Sequence, residues 1–98
     1  MAHIFLTGNV ATDPKVRTFE RDGAERVVAN FQVADHARSH PAASATTFYR
    51  VTAWHRLGEL AASLAKGSLV HIHGEINAKP DARDHRLEIT AREIFTPL

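Results

Sequence analysis

The chain has no cysteine, which excludes disulfides, thiolate metal sites and thiol nucleophiles. No uninterrupted apolar run reaches the ~18 residues that a membrane-spanning helix needs. The opening Met1-Ala2-His3-Ile4-Phe5-Leu6 lacks the basic segment and long apolar stretch of a secretory signal, so the expected location is the cytoplasm. An excess of charge of one sign is missing too. Twelve Lys and Arg stand against eleven Asp and Glu, a net charge of +1, so any attraction for a polyanion must come from local clustering. Gly8, Gly23, Gly58, Gly67 and Gly74 stand singly, and no glycine-rich phosphate loop exists. Repeats and low-complexity segments are absent, and no basic amphipathic helix supports binding to a membrane surface.

What is present fits one domain, residues 1–98, of ordinary globular composition. Ile4, Leu6, Gly8 and Val10 alternate with Phe5, Thr7 and Asn9, which predicts a strand from His3 to Val10. Asp13-Pro14 breaks it, Lys15 to Glu20 extends it beyond the break, and Asp22-Gly23 signals a tight turn. A long second strand, Arg26 to His36, places Val27, Ala29, Phe31 and Val33 inward, with Arg26, Val28, Asn30 and Gln32 on its other face. The loop 37–45 carries Arg38. Leu57, Leu60, Ala61 and Leu64 recur at helical spacing, and Lys66-Gly67 supplies a basic last turn and a glycine stop, predicting a helix over Leu57 to Lys66. Alternation returns in Leu69 to Ile76. A polar loop, 78–85, carries Lys79, Pro80 and Arg83. In the last strand, Arg86 to Phe95, the inward set Leu87, Ile89 and Ala91 falls out of phase with Ile94, which predicts a bulge or strong coiling near Arg92. Three strands, a helix and two strands are the element order of an all-β, five-stranded OB barrel with one short helix between its third and fourth strands. A split barrel shares a similar order.

The third strand organises the rest. In Thr46 to Arg56 the set Thr47, Tyr49, Val51 and Ala53 suits a core, whereas Phe48, Arg50, Thr52 and Trp54 share the opposite face. Two large aromatics with a guanidinium and a hydroxyl between them suit a ligand that is flat and negatively charged. Unpaired nucleotides are such a ligand, because bases stack on aromatic rings while Arg meets the phosphates. The plainer account is that these rings pack on a neighbouring loop or subunit.

Chemistry of other kinds finds little support. His71, His73 and Glu75 share one strand face, but three side chains at i, i+2 and i+4 span ~13 Å, too wide for one ion. A solvated face or a subunit contact suits them better, and in the second case assembly weakens as pH falls through the imidazole range. No serine or threonine lies in a local arrangement with His and Asp. The basic residues of the 78–85 loop are interspersed with Asp81 and Asp84, as in a solvated hairpin loop. The expectation is a binding protein rather than an enzyme, with no cofactor and no metal.

Several runs resemble the bacterial-type single-stranded DNA-binding proteins: Ile4 to Arg17, Val28-Ala29-Asn30-Phe31, Phe48-Tyr49-Arg50-Val51 continuing to Trp54, and Lys66-Gly67-Ser68-Leu69-Val70 followed by Gly74. They lie in the family's order over almost the whole chain. The resemblance implies an OB fold that binds single-stranded DNA without strong sequence preference in replication, recombination and repair. It also implies a homo-oligomer, usually a tetramer, with a dimer possible. Phe48 and Trp54 match positions that stack on bases. Arg17, Arg50, Arg56, Lys66 and Lys79 match positions that tend to be basic along the strand's path, and Arg38 is a further candidate on its loop.

Departures from the pattern matter as well. The loop from Arg38 to Ala45 has no aromatic where many members place a stacking Trp, and Pro80-Asp81 stands where others carry one. Fewer stacking platforms imply weaker binding per subunit. Typical members continue into a flexible tail with an acidic tip that recruits replication proteins, whereas this sequence stops at Leu98. The expectation is therefore either a core domain or a tail-less paralogue. The related primosomal replication protein, a short OB dimer of replication restart, is one alternative, and an OB adaptor that binds protein through the same groove is another.

Overall fold

The computed structural model describes residues 2–36, 46–77 and 87–97. Their order is β1 (His3–Val10), β2 (Lys15–Arg21), β3 (Ala24–His36), β4 (Thr46–Trp54), α1 (Arg56–Ala62), β5 (Leu69–Asn77) and β6 (Glu88–Phe95). Among the described residues the strands form one sheet in the order β1-β5-β6-β4-β3-β2. The sheet closes on itself because β1 also pairs with β3, through Asn9 with Ala34 and Val10 with Val33. The ring has five walls, and β6 meets β4 in parallel over Arg50 to Thr52. With one helix between β4 and β5, this is the OB barrel read from the sequence.

The sixth strand arises because the first wall is broken. Around Asp13-Pro14 the chain keeps its hold on β3: the Ala11 amide donates to the Gln32 carbonyl at 2.7 Å, and the Gln32 amide donates to Thr12 Oγ1 at 3.1 Å. β2 then runs along the same long strand, from Lys15 opposite Asn30 to Arg21 opposite Ala24. Its return is the Asp22-Gly23 turn, with φ of 53° and 75°. Two successive left-handed residues make the type I′ turn whose twist suits a hairpin. Nothing lies within 4 Å of a Cβ built on Gly23, so Gly23→Ala meets only the backbone cost of a left-handed residue, about 1 kcal/mol. Urea unfolding is expected to report that loss at unchanged slope.

The alternating apolar residues meet inside the ring. Leu6, Val10, Phe31, Val33, Val51, Val70, Ile72 and Ile89 are buried and form the body of one cluster, and Ala61 and Leu64 cap it from the helix side. The irregularity expected near Arg92 is present: His73 faces Glu93 but Gly74 faces Ala91. Arg92 is the extra residue, and the shift lets both Ala91 and Ile94 point inward.

Four sequence readings need correction. The helix ends at Ala62, not at Lys66. The Ser63 and Leu64 amides bond back only three residues, to Leu60 and Ala61, and the Ser63 hydroxyl also bonds to the Leu60 carbonyl. The Lys66 amide is taken by the Asp13 carboxylate at 3.0 Å, so Gly67, with φ 96°, belongs to the turn into β5. Thr47 is exposed and Tyr49 only half-buried, because the core reaches β4 at Val51 and Ala53. Leu87, expected inside, precedes β6 and is 38% exposed. Val28, expected on the outer face with Arg26 and Asn30, is on that face yet buried, for a reason that lies in its neighbours.

Candidate nucleic-acid interface

Antiparallel partners point to the same side of a sheet, so the pairings of β2, β3 and β4 define their shared outer face. One row across it is Arg17, Val28 and Trp54, and the next is Lys15, Asn30 and Thr52. Towards the 37–45 segment the face continues through Gln32 with Arg50 and Ala34 with Phe48. Towards the hairpin it continues through Phe19 with Arg26. Val28, flanked in this row by Arg17 on one side and Trp54 on the other, is 2% exposed.

Trp54 nevertheless remains 40% exposed and Phe48 45% exposed. Phe19 meets Trp54 edge to face, ring centroids 6.2 Å apart at 78°. A T-shaped contact covers at most one face of the indole and leaves the other to other contacts. Behind Trp54 the chain bends sharply at His55, whose φ is 58° and whose amide donates to the Val27 carbonyl at 2.9 Å. Phe19, Arg21, Asp22, Arg26, Trp54 and His55 enclose a cleft of about 290 Å³. A second hollow of about 220 Å³ lies along the same face, with Thr12, Asp13, Lys15, Asn30, Gln32 and Arg50 on its walls. Thr52 donates to Asn30 Oδ1 at 2.9 Å between the two, and Arg50 is 4.0 Å from the Glu88 carboxylate.

Of the residues singled out in the sequence, Phe48, Arg50, Trp54 and Arg17 therefore share one face. Arg56 is exposed at the start of α1, two residues past Trp54, and Lys66 is exposed in the turn before β5. The amide of Lys66 joins it to Asp13 on the rim of the second hollow. Arg38 and Lys79 lie outside the described residues. Sequence reasoning missed Lys15, Phe19 and Arg21 as members of this face, and it placed Arg26 outward without naming it a site residue. The signal was available: odd positions of β2 read Lys15, Arg17, Phe19 and Arg21, a basic and aromatic alternation.

On the wall formed by β1, β5 and β6 the candidate metal trio disperses. His71 Nδ1 is 2.8 Å from Thr7 Oγ1, and Arg92 Nε donates to Glu75 Oε1 at 3.0 Å. His73 lies beside Glu93, 3.1 Å from Nδ1 to Oε1. Among the described residues no three or more His, Asp or Glu side chains are gathered so as to hold an ion.

A closed five-walled barrel with one helix, presenting interleaved rings and guanidinium groups on the outer face of its central strands, defines a protein of the OB class. The sequence profile of the single-strand binding protein family matches residues 1–95, and the chain belongs to that family. Solved structures agree with this assignment. The single-stranded DNA binding protein from Thermus aquaticus is 26% identical in a deletion mutant and 24% identical in the wild type, each with a TM-score of 0.76 over 100% of this chain. This chain spans about two fifths of the length of those proteins, 42% and 41%. The single-strand binding domain of a Synechococcus protein superposes with a TM-score of 0.75 at 19% identity, covering 96% of this chain and 93% of that one. No curated protein matches the sequence.

Proposed function

We propose that this protein binds single-stranded DNA, without sequence preference, along the outer face of β2, β3 and β4, and protects it during replication, recombination and repair. The observation that carries the reading is Trp54, an exposed indole in T-shaped contact with Phe19 and in one row with Val28 and Arg17, with Arg26 and Arg21 lining the cleft beside it. Bases stack on such a ring whatever their identity, and the guanidinium groups meet the phosphates between them. Phe48 and Arg50 extend the path towards the His36 end of β3. Arg56 and Lys66 add charge along its borders, and Arg38 and Lys79 remain candidates on the family resemblance and the sequence alone.

The chain has a single Trp, so its fluorescence reports on one site. Oligo-dT is expected to quench it, and salt is expected to restore the signal as phosphate contacts are lost. An emission that oligo-dT leaves unchanged would count against the assigned face. Arg17→Ala is expected to lower the slope of log affinity against log salt by ~0.7, the value for one phosphate contact on a single strand. A slope identical to the native one would remove Arg17 from the path.

The homo-oligomer implied by the family resemblance, a tetramer ahead of a dimer, is part of the same proposal. Phe5 is 82% exposed and Phe95 58% exposed on the β1, β5 and β6 wall, and rings so placed together are suited to cover by a second copy. Mass in solution, measured with and without oligo-dT, tests the stoichiometry. A place beside the nucleoid in the cytoplasm belongs to the same proposal; among the described residues no helix is long and apolar enough to cross a membrane.

A further inference from the structure

The wall opposite in role to the basic face carries a cluster that the DNA reading does not use. His3 on β1 and His73 on β5 are diagonal neighbours, since His3 pairs with Glu75 and Phe5 with His73. His3 Nδ1 lies 3.2 Å from His73 Nε2, and the other nitrogen of His73, Nδ1, lies 3.1 Å from Glu93 Oε1. Phe5 stacks on the His73 ring, centroids 4.5 Å apart and planes within 8° of parallel.

We propose that His3 and His73 form a two-nitrogen chelate for a divalent transition cation of the zinc class, with Glu93 as the group that aims it. Two imidazole nitrogens bound at ~2.0–2.1 Å to one tetrahedral ion stand ~3.3 Å apart, and the pair observed here is at 3.2 Å. Glu93 accepts the Nδ1–H of His73, which leaves the Nε2 lone pair directed at His3. A ligating histidine ordinarily has this arrangement, its second ring N–H given to a carboxylate. In the metal-free protein the His3 Nδ1–H donates to that lone pair. Coordination needs both lone pairs, so the His3 proton moves to its own Nε2, and the ion takes the place of the hydrogen bond. Phe5 prevents the His73 ring from turning away. Two neutral imidazoles select zinc, nickel, copper or cobalt over magnesium or calcium, which prefer oxygen ligands. Two ligands from one chain leave two positions of the tetrahedron, which water fills in a single chain and a second His3–His73 pair fills where two copies cover this wall. His71, two residues away on the same face, turns to Thr7 and takes no part. The site lies on a different wall from Trp54 and does not rest on the DNA reading.

The test is calorimetric titration of the untagged full chain with zinc chloride near pH 7.5, with magnesium chloride as comparator, beside nuclear magnetic resonance of the histidine rings. One zinc per chain is expected, or one per two chains where two such pairs meet. Zinc should shift the ring signals of His3 and His73 but not those of His71. His3→Ala and His73→Ala should each abolish the heat of binding, Glu93→Gln should weaken it ~10–100-fold, and His71→Ala should leave it unchanged. The proposal is overturned if magnesium binds as well as zinc, if His73→Ala binds like the native chain, or if only His3→Ala loses binding, which would place the ion at the start of the chain. Ring signals of the native protein that zinc leaves unmoved would overturn it without recourse to any variant.

Discussion

Trp54→Ala is expected to weaken binding of oligo-dT by about 5–150-fold, the equivalent of ~1–3 kcal/mol for one lost stacking platform. The indole is the broadest ring on the basic face, and its place in one row with buried Val28 makes its position part of the fold rather than a chance of the surface. Removing it also uncovers Val28, so some stability is lost with the affinity. Trp54→Phe separates the two effects, since a smaller ring still covers Val28 and still stacks; it is expected to lose less than a third of the binding energy that alanine loses, by the area of ring left to stack on, at ~1–3 kcal/mol for the whole platform. Filter binding at two salt concentrations reads both variants. Unchanged affinity in a folded Trp54→Ala protein would show that strands pass elsewhere, whereas a parallel loss in Phe19→Ala, which removes the T-shaped contact, would strengthen the assignment.

Gly8→Ala is expected to lower the stability of the fold sharply. A Cβ built on Gly8 would lie 2.4 Å from the Ala34 carbonyl oxygen and 2.8 Å from Val33 Cγ1. The first of these is backbone and cannot rotate aside, so β1 and β3 must separate. They meet at this point, through Asn9 with Ala34 and Val10 with Val33, to close the ring. Overpacking of this kind costs about 3 kcal/mol, the upper part of its usual range. At ~4–8 °C per kcal/mol for a domain of this size, the melting midpoint should fall by roughly 12–24 °C. Ala34 is also the cross-strand partner of Phe48, so the folded remainder should bind DNA less well. Calorimetry showing a midpoint within about 2 °C of the native one would mean that the seam yields without loss.

Much of this architecture was legible because the buried strands alternate cleanly. The phase of β1, β3 and β5, the turn at Asp22-Gly23 and the bulge at Arg92 all follow from residue order alone. β2 was harder. Every one of its residues is exposed, so it has no apolar stripe to mark it, and only its pairing with β3 shows that Lys15, Arg17, Phe19 and Arg21 border Trp54's row. Val28 was misjudged for the same reason, since its cover comes from Arg17 and Trp54, eleven residues before it and twenty-six after. The end of α1 was equally a matter of distant partners, because Asp13 claims the Lys66 amide from across 53 residues. Of the candidate site, Phe48, Arg50 and Trp54 could be grouped from one strand's alternation, while the charges beside them required the register of three strands.

The hairpin of β2 and the first half of β3 contributes its charges from outside the barrel, whereas the apolar cluster that holds the ring together draws nothing from β2. Grip and sturdiness therefore reside in separate material. Lys15, Phe19 and Arg21 can be exchanged for more cationic or more aromatic residues with Arg17 kept beside buried Val28 and the barrel left as it is, which makes this hairpin the natural place for selection, or for an engineer, to retune how firmly a strand is held.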